Sequence, residues 1–552
     1  REANWGRRAE HRAVSRNDPV AAYFEEFLPD RAARSSLTSM TSLDTTFCFV
    51  VDGVADGSWV CRFERGRLKG VPRRGEDAGV DFTYRMDVRA FHDIVGALVD
   101  PQEVFLEGRA EVSGNIELAL KMGMILEQFN KEHPYRAEMA PAAATRDMYL
   151  DKDGKPKPEA RDGIKSVGVP GSVAGLWELH QKLGSKKKTW AQLLAPAIAL
   201  ARDGFVVGDG FLFTLEVAGK RLQKHPVSTA LFFPNGAPPP KGSRFVNPEL
   251  AAVLERIVKG PKGFYAGPTA DAIVAQMKSE GGLITLADLA KYQAKWRTPI
   301  EFTYRGHTVT SMPPPSSGGV TLAMIAHIVE GWELGKLGFQ SPDHLHVVFE
   351  AMRRAYAARN ARLGDPDFVK MPLPELLGDA WAKAQRGTIK PDRATPSAEI
   401  VAGPASASGP HTTHFSVVDA AGDAVALTTT INFWYGSGVT VKGGGFVLNN
   451  EMDDFAAVPG TANGYGLVQG EANAIAPGKR MLSSMAPTIV TGPDGKVVLV
   501  AGAAGGPTII TSVFQEMSAV VDFGLDVGAA VSAPRFHMQH LPDEVAFEKA
   551  GL

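Results

Sequence analysis

Between residues 20 and 135 the hydrophobic positions follow two different periods. Trp59, Cys61 and Phe63 alternate with Val60, Arg62 and Glu64, the period of two expected for a half-buried strand. Val80, Phe82, Tyr84 and Met86 alternate in the same way with Asp81, Thr83, Arg85 and Asp87, and Asp56-Gly57 offers a hairpin turn before the Trp59 strand. From Asn115 to Asn130 the period becomes helical, with Leu118, Met122, Ile125, Leu126 and Phe129 on one stripe. Ile116, Leu120 and Met124 add apolar positions on other faces, which predicts a helix covered on more than one side. Residues 20–135 therefore read as one small α+β unit, preceded by a polar segment over 1–19. The pattern leaves open whether its apolar residues fill a solid core or line a tunnel.

Charged and Pro/Gly-rich text (KEHPYRAEM, then DKDGKPKPEARDG) interrupts these periods and predicts a linker or long surface connection over 136–166. Beyond it, 189–205 and 342–363 carry the clearest helical patterns. Past His411 the text changes to paired strands: THFSVVD and AVALTTTI flank the turn Ala420–Asp423, and PTIVT and KVVLVAG flank Gly492-Pro493-Asp494-Gly495. Helices followed by strands within one long unit predict sheets covered by helices. With 552 residues the chain has room for two or three cores. A net charge of −2 argues against nucleic acid as an obligatory partner. The only cysteines, Cys48 and Cys61, form neither a metal-ligand spacing nor a disulfide framework. No apolar run approaches a membrane span, and the polar stretch through Arg16 does not read as a signal peptide.

The segment GPHTTHFSVVD, residues 409–419, carries the candidate chemistry. A threonine opening a strand behind glycine and proline suits a strained peptide attacked by the next side chain. Its Oγ would attack the carbonyl of His411, an N-to-O acyl shift would give an ester, and water would cleave it. The freed α-amine, with an ordinary pKa of roughly 7.7–8.0, can then serve as the base for the hydroxyl of the same residue. On the dipeptide alone, a Thr-Thr pair that opens a strand is ordinary β-propensity.

The surrounding text decides between the two. From about Met139 to the last residue the chain is similar to the γ-glutamyltranspeptidases. The resemblance rests on APAAATRDMYLD (140–151), VPGSVAGLWELH (169–180), APAIALARDGF (195–205), GGLITLADLAKY (281–292), SMPPPSSGGV (311–320) and LGDPDFVK (363–370). TTHFSVVD (412–419), LNNEMDDF (448–455), KRMLSSMAPTIV (479–490) and Gly505-Gly506 continue it in the family's order. The resemblance implies a four-layer αββα N-terminal-nucleophile hydrolase sandwich, divided into a large-chain part over 139–411 and a small-chain part from Thr412 to residue 552. The two parts would stay associated after self-cleavage.

Carried over block by block, Thr412 matches the nucleophile and Thr430 the threonine that supports it. Asn432, Glu451 and Asp454 match positions that bind the substrate's α-amino group, where carboxylate and amide oxygens suit an ammonium. Ser483 and Ser484 match positions that hold its α-carboxylate, and Gly505 and Gly506 match an oxyanion hole. Tyr465, in a loop between Pro459 and Gly470, matches the latch of a lid over the substrate. Without the resemblance, NNEMDDF would read as a solvated acidic turn and the glycine pair as a plain turn. The implied reaction passes a γ-glutamyl group from glutathione or a related compound, through an ester on Thr412, to water or to an amino-acid or peptide amine. It needs neither a metal nor an organic cofactor.

DFTYRMDVRAFHDIV (81–95) and DPQEVFLEGRAEVSGNIELALKMGMILEQFN (100–130) resemble the sterol-carrier-protein family, which implies a sheet and helices around an apolar tunnel and a lipid as a partner. This text occupies the place of a segment with which the transpeptidase large chain normally begins, one that carries an arginine clamp for the substrate carboxylate. The resemblance also stops short of the family's usual C-terminal end. The expected sandwich is therefore truncated, with sheet edges and apolar surface left uncovered. A lost charge-assisted contact is worth about 1.5–3 kcal/mol, so a lipid carrier with an inactive transpeptidase remnant is the alternative reading. An uncleaved precursor that acts as a structural partner is a third. The two resemblances point to different locations, outside and inside the cell, and give no single one.

Overall fold

The computed structural model describes residues 20, 23–32, 35, 37, 43–52, 57–75, 79–95, 101–106, 108–132, 140–400 and 412–548. Two compact units divide the chain: Arg1–Ala137 with Leu286–Lys291, and Glu138–Thr285 with Tyr292–Leu552.

In the first unit, strands β1 (Thr45–Asp52), β2 (Ser58–Glu64), β3 (Arg67–Leu68), β4 (Arg73–Arg74), β5 (Phe82–Asp87) and β6 (Ala110–Gly114) form one sheet in the order β3-β2-β1-β5-β6, with β4 also paired to β2. The pair β1–β5 is parallel, whereas β1–β2 and β5–β6 are antiparallel. Alternation sends Phe47, Phe49, Trp59, Cys61, Phe63, Phe82 and Met86 to one buried face. Against that face pack helices α1 (Val88–Val95) and α2 (Ile116–Glu132). Phe24 stacks on Trp59, whose indole N–H donates to Glu25 Oε1 at 3.1 Å.

Two sequence expectations change in this unit. Val80 does not continue the Phe82 face: β5 begins at Phe82, and Val80 packs instead with Cys48, Val50 and Val60 on the opposite side. The hairpin between β1 and β2 is present, and the Val51 N–H donates to Gly57 O, but Asp56 lies outside the described residues. Helix α2 is covered on one side rather than several. Met122, Ile125, Leu126 and Phe129 are buried, whereas Ile116, Leu120 and Met124 are 57%, 55% and 63% exposed. Leu120 and Met124 line a cavity of about 430 Å³, with Phe49, Phe91 and Val112 among its other walls. Leu120 and Met124 thus border an apolar cavity rather than a covering layer.

In the second unit, residues 140–166 combine an exposed stretch at 152–156 with residues packed into the core. Ala140, Ala144, Tyr149 and Ala160 are buried against Met452, Phe455, Ile475 and Met481, and the Tyr149 hydroxyl donates to Lys165 O at 2.5 Å. Helix α3 (Ser172–Leu183) follows, then the predicted helix α4 (Trp190–Asp203), opened by a capping box in which Thr189 and Gln192 bond each other's backbone N–H. Strands β7 (Ile300–Tyr304) and β8 (His307–Ser311) then form a hairpin. Helix α5 (Gly318–Val329) is apolar and buried almost all round, as befits a core helix. The long α6 (Pro342–Arg362) begins at the N-cap Ser341, whose Oγ accepts from His344 N–H, with proline at the first helical position.

After residue 412 come hairpin β9 (Thr413–Val418) and β10 (Ala424–Thr429), then β11 (Thr488–Thr491), β12 (Val497–Ala501) and helix α7 (Thr508–Val521). Strands β12-β11-β8-β7 make a four-stranded antiparallel sheet in that order. Helices α5, α6 and α7 pack together, with α5 and α7 against this sheet. Hairpin β9–β10 lies against β11 and β12. Ser416 Oγ donates to Val500 O at 2.9 Å, and the His414 ring sits so close to Gly502 that a Cβ there would fall 2.2 Å from it. The other face of the hairpin, with Phe415, Val417 and Val425, is 43–56% exposed. A helical layer, a sheet and a second β-layer are therefore present among the described residues.

Candidate active site

The site begins with the register of one hairpin. Thr413 pairs with Thr429 at the open end of β9–β10, so Thr412 and Thr430 are the next residues along on facing strands. The Thr412 hydroxyl donates to Thr430 Oγ1 at 3.3 Å, and Thr430 Oγ1 also accepts from the Asn432 N–H at 2.8 Å. Asn432 has φ of +71°, a left-handed conformation that asparagine tolerates better than most residues. It turns the chain off β10. Its Nδ2 donates to Asn450 O at 2.9 Å, while Asn450 Oδ1 accepts from Phe433 N–H at 3.0 Å. These bonds tie the end of β10 to the acidic turn Glu451–Asp454.

That turn is not solvated. Glu451 and Asp453 are buried. Burial, together with Asp453 nearby, pushes the Glu451 carboxyl up to about 7. Burial also raises Asp454 well above the usual carboxylate range, with Glu451 and Asp453 adding to the effect and Arg359 opposing it. Asp453 rises to about 6 through burial, against the pull of Arg161, which it meets at 3.3 Å. Its carboxylate also accepts from the Gly464 N–H at 3.1 Å. Glu451 Oε1 is different: it is buried and has no hydrogen-bond partner among the described residues. A buried acceptor left unmade is costly, and this one belongs to the wall of a cleft.

The cleft has a volume of about 560 Å³ and brings together Thr430, Glu451 and Ser483 with Leu176, Tyr292 and Arg480. Ser483 is held by its backbone: its N–H donates to Pro315 O at 2.9 Å, and its carbonyl accepts from both the N–H and the hydroxyl of Ser317, each at 2.8 Å. Ser484 is buried beside it, and its Oγ accepts from Arg359 Nη2 at 3.1 Å. Gly505 and Gly506 stand just before α7, both at positive φ. A Cβ on Gly506 would fall 2.6 Å from the Tyr465 ring. Tyr465 itself is buried, and its hydroxyl donates to Asn432 O at 2.9 Å. The chain from 456 to 474 thus closes over the glycine pair and meets the end of β10.

The residues matched from the sequence therefore converge on the ends of β9 and β10 and the loops facing them. Three others belong to the same constellation and were not singled out. Asp453 and Arg161 pair beneath the acidic turn, and Arg359 stands behind Ser484. Asp453 lay in the matched block NNEMDDF. The two arginines became visible only through their contacts.

The family model described as "Gamma-glutamyltranspeptidase" matches residues 129–551, and that of the "SCP-2 sterol transfer family" matches residues 24–127. The chain is 47% identical over 418 residues to the glutathione hydrolase proenzyme of Pseudomonas sp. (strain A14), covering 75% of this chain and 72% of that protein. It is 48% identical over 421 residues to the Escherichia coli (strain K12) glutathione hydrolase proenzyme, covering 75% and 71%. Among solved structures, the cephalosporin acylase from Bacillus halodurans superposes with a TM-score of 0.59 at 26% identity, over 73% of this chain and 72% of that one. With an N-terminal domain of the sterol-transfer type in front, the chain belongs to the γ-glutamyltranspeptidase family.

Proposed function

We propose that the chain cleaves itself before Thr412 and then transfers γ-glutamyl groups from glutathione-like donors to water or to amines. The observation that carries this reading is the Thr412 hydroxyl, 3.3 Å from that of Thr430, next to a cleft in which Glu451 keeps a buried, unpartnered carboxylate oxygen. A hydroxyl at a new N-terminus can use the α-amine as its base. Thr430 Oγ1, fixed by Asn432 N–H, orients that hydroxyl. The unpartnered Glu451 oxygen, with Asp454 and Asn432, suits an ammonium, and Ser483 and Ser484 suit a carboxylate. Together these are the two charged ends of an α-amino acid. Attack on the γ-carbonyl forms the threonine ester and expels the donor's amine. Water or a second amine then takes the acyl group and restores the hydroxyl. In this reading the N–H groups of Gly505 and Gly506 serve as the oxyanion hole, and Tyr465 packs over Gly506.

The amino group separates this reading from other acyl transfers. Hydrolysis of L-γ-glutamyl anilide tests it, beside the glutaryl anilide that lacks only the amine. The first is expected to be turned over and the second poorly. Equal turnover, or none, would defeat the reading. Gly506→Ala is expected to displace Tyr465 and reduce kcat by roughly 10²-fold, the cost of a small misplacement at a reacting centre, as measured on the same anilide.

For the first unit we propose an apolar ligand with a neutral or cationic head. Among the described residues lining the 430 Å³ cavity there is no lysine, arginine or histidine, and the one charged residue is Glu127. Tyr23 and Asn130, which share a 3.1 Å hydrogen bond, supply polar groups in the same wall. Displacement of a bound fluorescent sterol by cholesterol, but only weakly by oleate at pH 8, is the expected outcome. Preference for oleate would contradict it.

A further inference from the structure

Arg359 is fully buried in the last turn of α6. Its three nitrogens all find partners, and every partner is neutral. Nε donates to Ser317 Oγ at 3.0 Å, Nη1 to Asn360 Oδ1 at 3.0 Å and Nη2 to Ser484 Oγ at 3.1 Å. Among the described residues it forms no ion pair, in contrast to its buried helix neighbours: Arg354 meets Glu350, and Arg353 meets Asp543. A buried cation without a counter-charge is expensive. Burial lowers its pKa only to about 10, so it remains charged at neutral pH. The hydrogen bonds satisfy its donors, and the acidic group that acts on its charge is Asp454, with which it forms no ion pair among the described residues.

The guanidinium reaches both serines of one turn. It touches Ser484 Oγ directly, and it reaches Ser483 through Ser317, whose hydroxyl donates to Ser483 O. Because Nη2 occupies a lone pair of Ser484 Oγ, the hydroxyl proton of Ser484 is left to donate elsewhere. A hydroxyl that accepts from a cation is a stronger donor, since bonds in a chain polarise one another. We infer that Arg359 is the positioning residue that makes the Ser483–Ser484 turn selective for a carboxylate. It acts through the hydroxyl of Ser484 and sets a positive charge behind that hydroxyl. The inference rests on the reading of this cleft as a γ-glutamyl site, and it assigns the charge that site uses.

The experiment is calorimetric titration of the full chain with L-glutamate and with its α-carboxamide, isoglutamine, which keeps the amino group and the γ-carboxylate and loses only the α-carboxylate. Wild type is expected to prefer glutamate by about 10- to 100-fold, the value of a charge-assisted hydrogen bond. Arg359→Met is expected to lose that preference by weakening glutamate while leaving isoglutamine nearly unchanged. In a Ser484→Ala background, adding Arg359→Met should cost less than in wild type, because the two act as one unit. Arg359→Lys keeps the buried charge, is expected to fall between, and carries the test if the methionine variant does not fold. Equal weakening of both ligands in the arginine variants would show a structural role and overturn the inference. So would a wild-type chain without the preference, or arginine variants that keep it. Failure of the γ-glutamyl reading alone looks different: the carboxylate preference and its dependence on Arg359 persist, but the wild-type chain does not hydrolyse the γ-glutamyl anilide.

Discussion

Thr412→Ala is expected to remain a single uncut chain and to lose γ-glutamyl hydrolysis by at least about 10³-fold, since loss of an activated nucleophile removes the covalent route altogether. The geometry gives the variant a specific meaning. Alanine keeps the backbone of the β9 entry, where Thr413 pairs with Thr429, and removes the hydroxyl that meets Thr430 at 3.3 Å together with the γ-methyl. Thr412→Ser retains that hydroxyl and is expected to cleave. Thr430→Val keeps the shape of the neighbour without its oxygen, and with it goes the acceptor for both Thr412 and the Asn432 N–H. Cleavage should then slow without being abolished. Gel separation of the two parts over a time course checks all three.

The second large effect is expected at Glu451. Replacing it with glutamine should raise KM for a γ-glutamyl donor by roughly 10²-fold with a smaller change in kcat, in line with the cost of breaking a charge-assisted contact. The pH dependence carries the sharper signature. Burial pushes the Glu451 carboxyl up to about 7 and Asp453 up to about 6. An ammonium is best held by ionised carboxylates, so kcat/KM of wild type should rise with pH through about 7, and Glu451→Gln should flatten that rise. The stability of the unliganded protein moves the other way. With a folded-state pKa above the unfolded value of 4.5, the folded chain binds more protons between 4.5 and about 7. Its stability is therefore highest at the acid side and falls as pH rises through that window. Glu451→Gln removes its share of the fall. Thermal unfolding of both proteins across pH 5 to 8 measures it.

Much of this architecture was legible in the chain. Period-two alternation found β2 and β5, and the glycine turns found β9–β10 and β11–β12, because each is a local signal. The alternating text IEFTYRGHTVTS was passed over, although Phe302, Tyr304 and Val309 are buried along β7–β8 and the turn lies at Arg305-Gly306. Helix α2 misled in the opposite way. Its surplus of apolar residues reads the same whether they meet a covering layer or an open cavity. Tyr149 lies within charged, proline-rich text, and only its contacts with Met452 and Phe455 explain its burial. Arg359 is the clearest case of non-local information. AMRRAYAARNAR holds four arginines at positions 353, 354, 359 and 362, and nothing in the run separates the half-buried Arg362 from the three that are buried. Their partners, among them Asp543, Glu350, Ser317 and Ser484, come mostly from distant segments.

The most direct test of the central claim is the intact mass of the wild-type chain, acid-quenched seconds after mixing with L-γ-glutamyl anilide. The account predicts a fragment that begins at Thr412, part of it heavier by one γ-glutamyl group, and no such addition on the fragment that ends at His411. A single mass of the full-length chain, or a cut fragment that never carries the group, would contradict it.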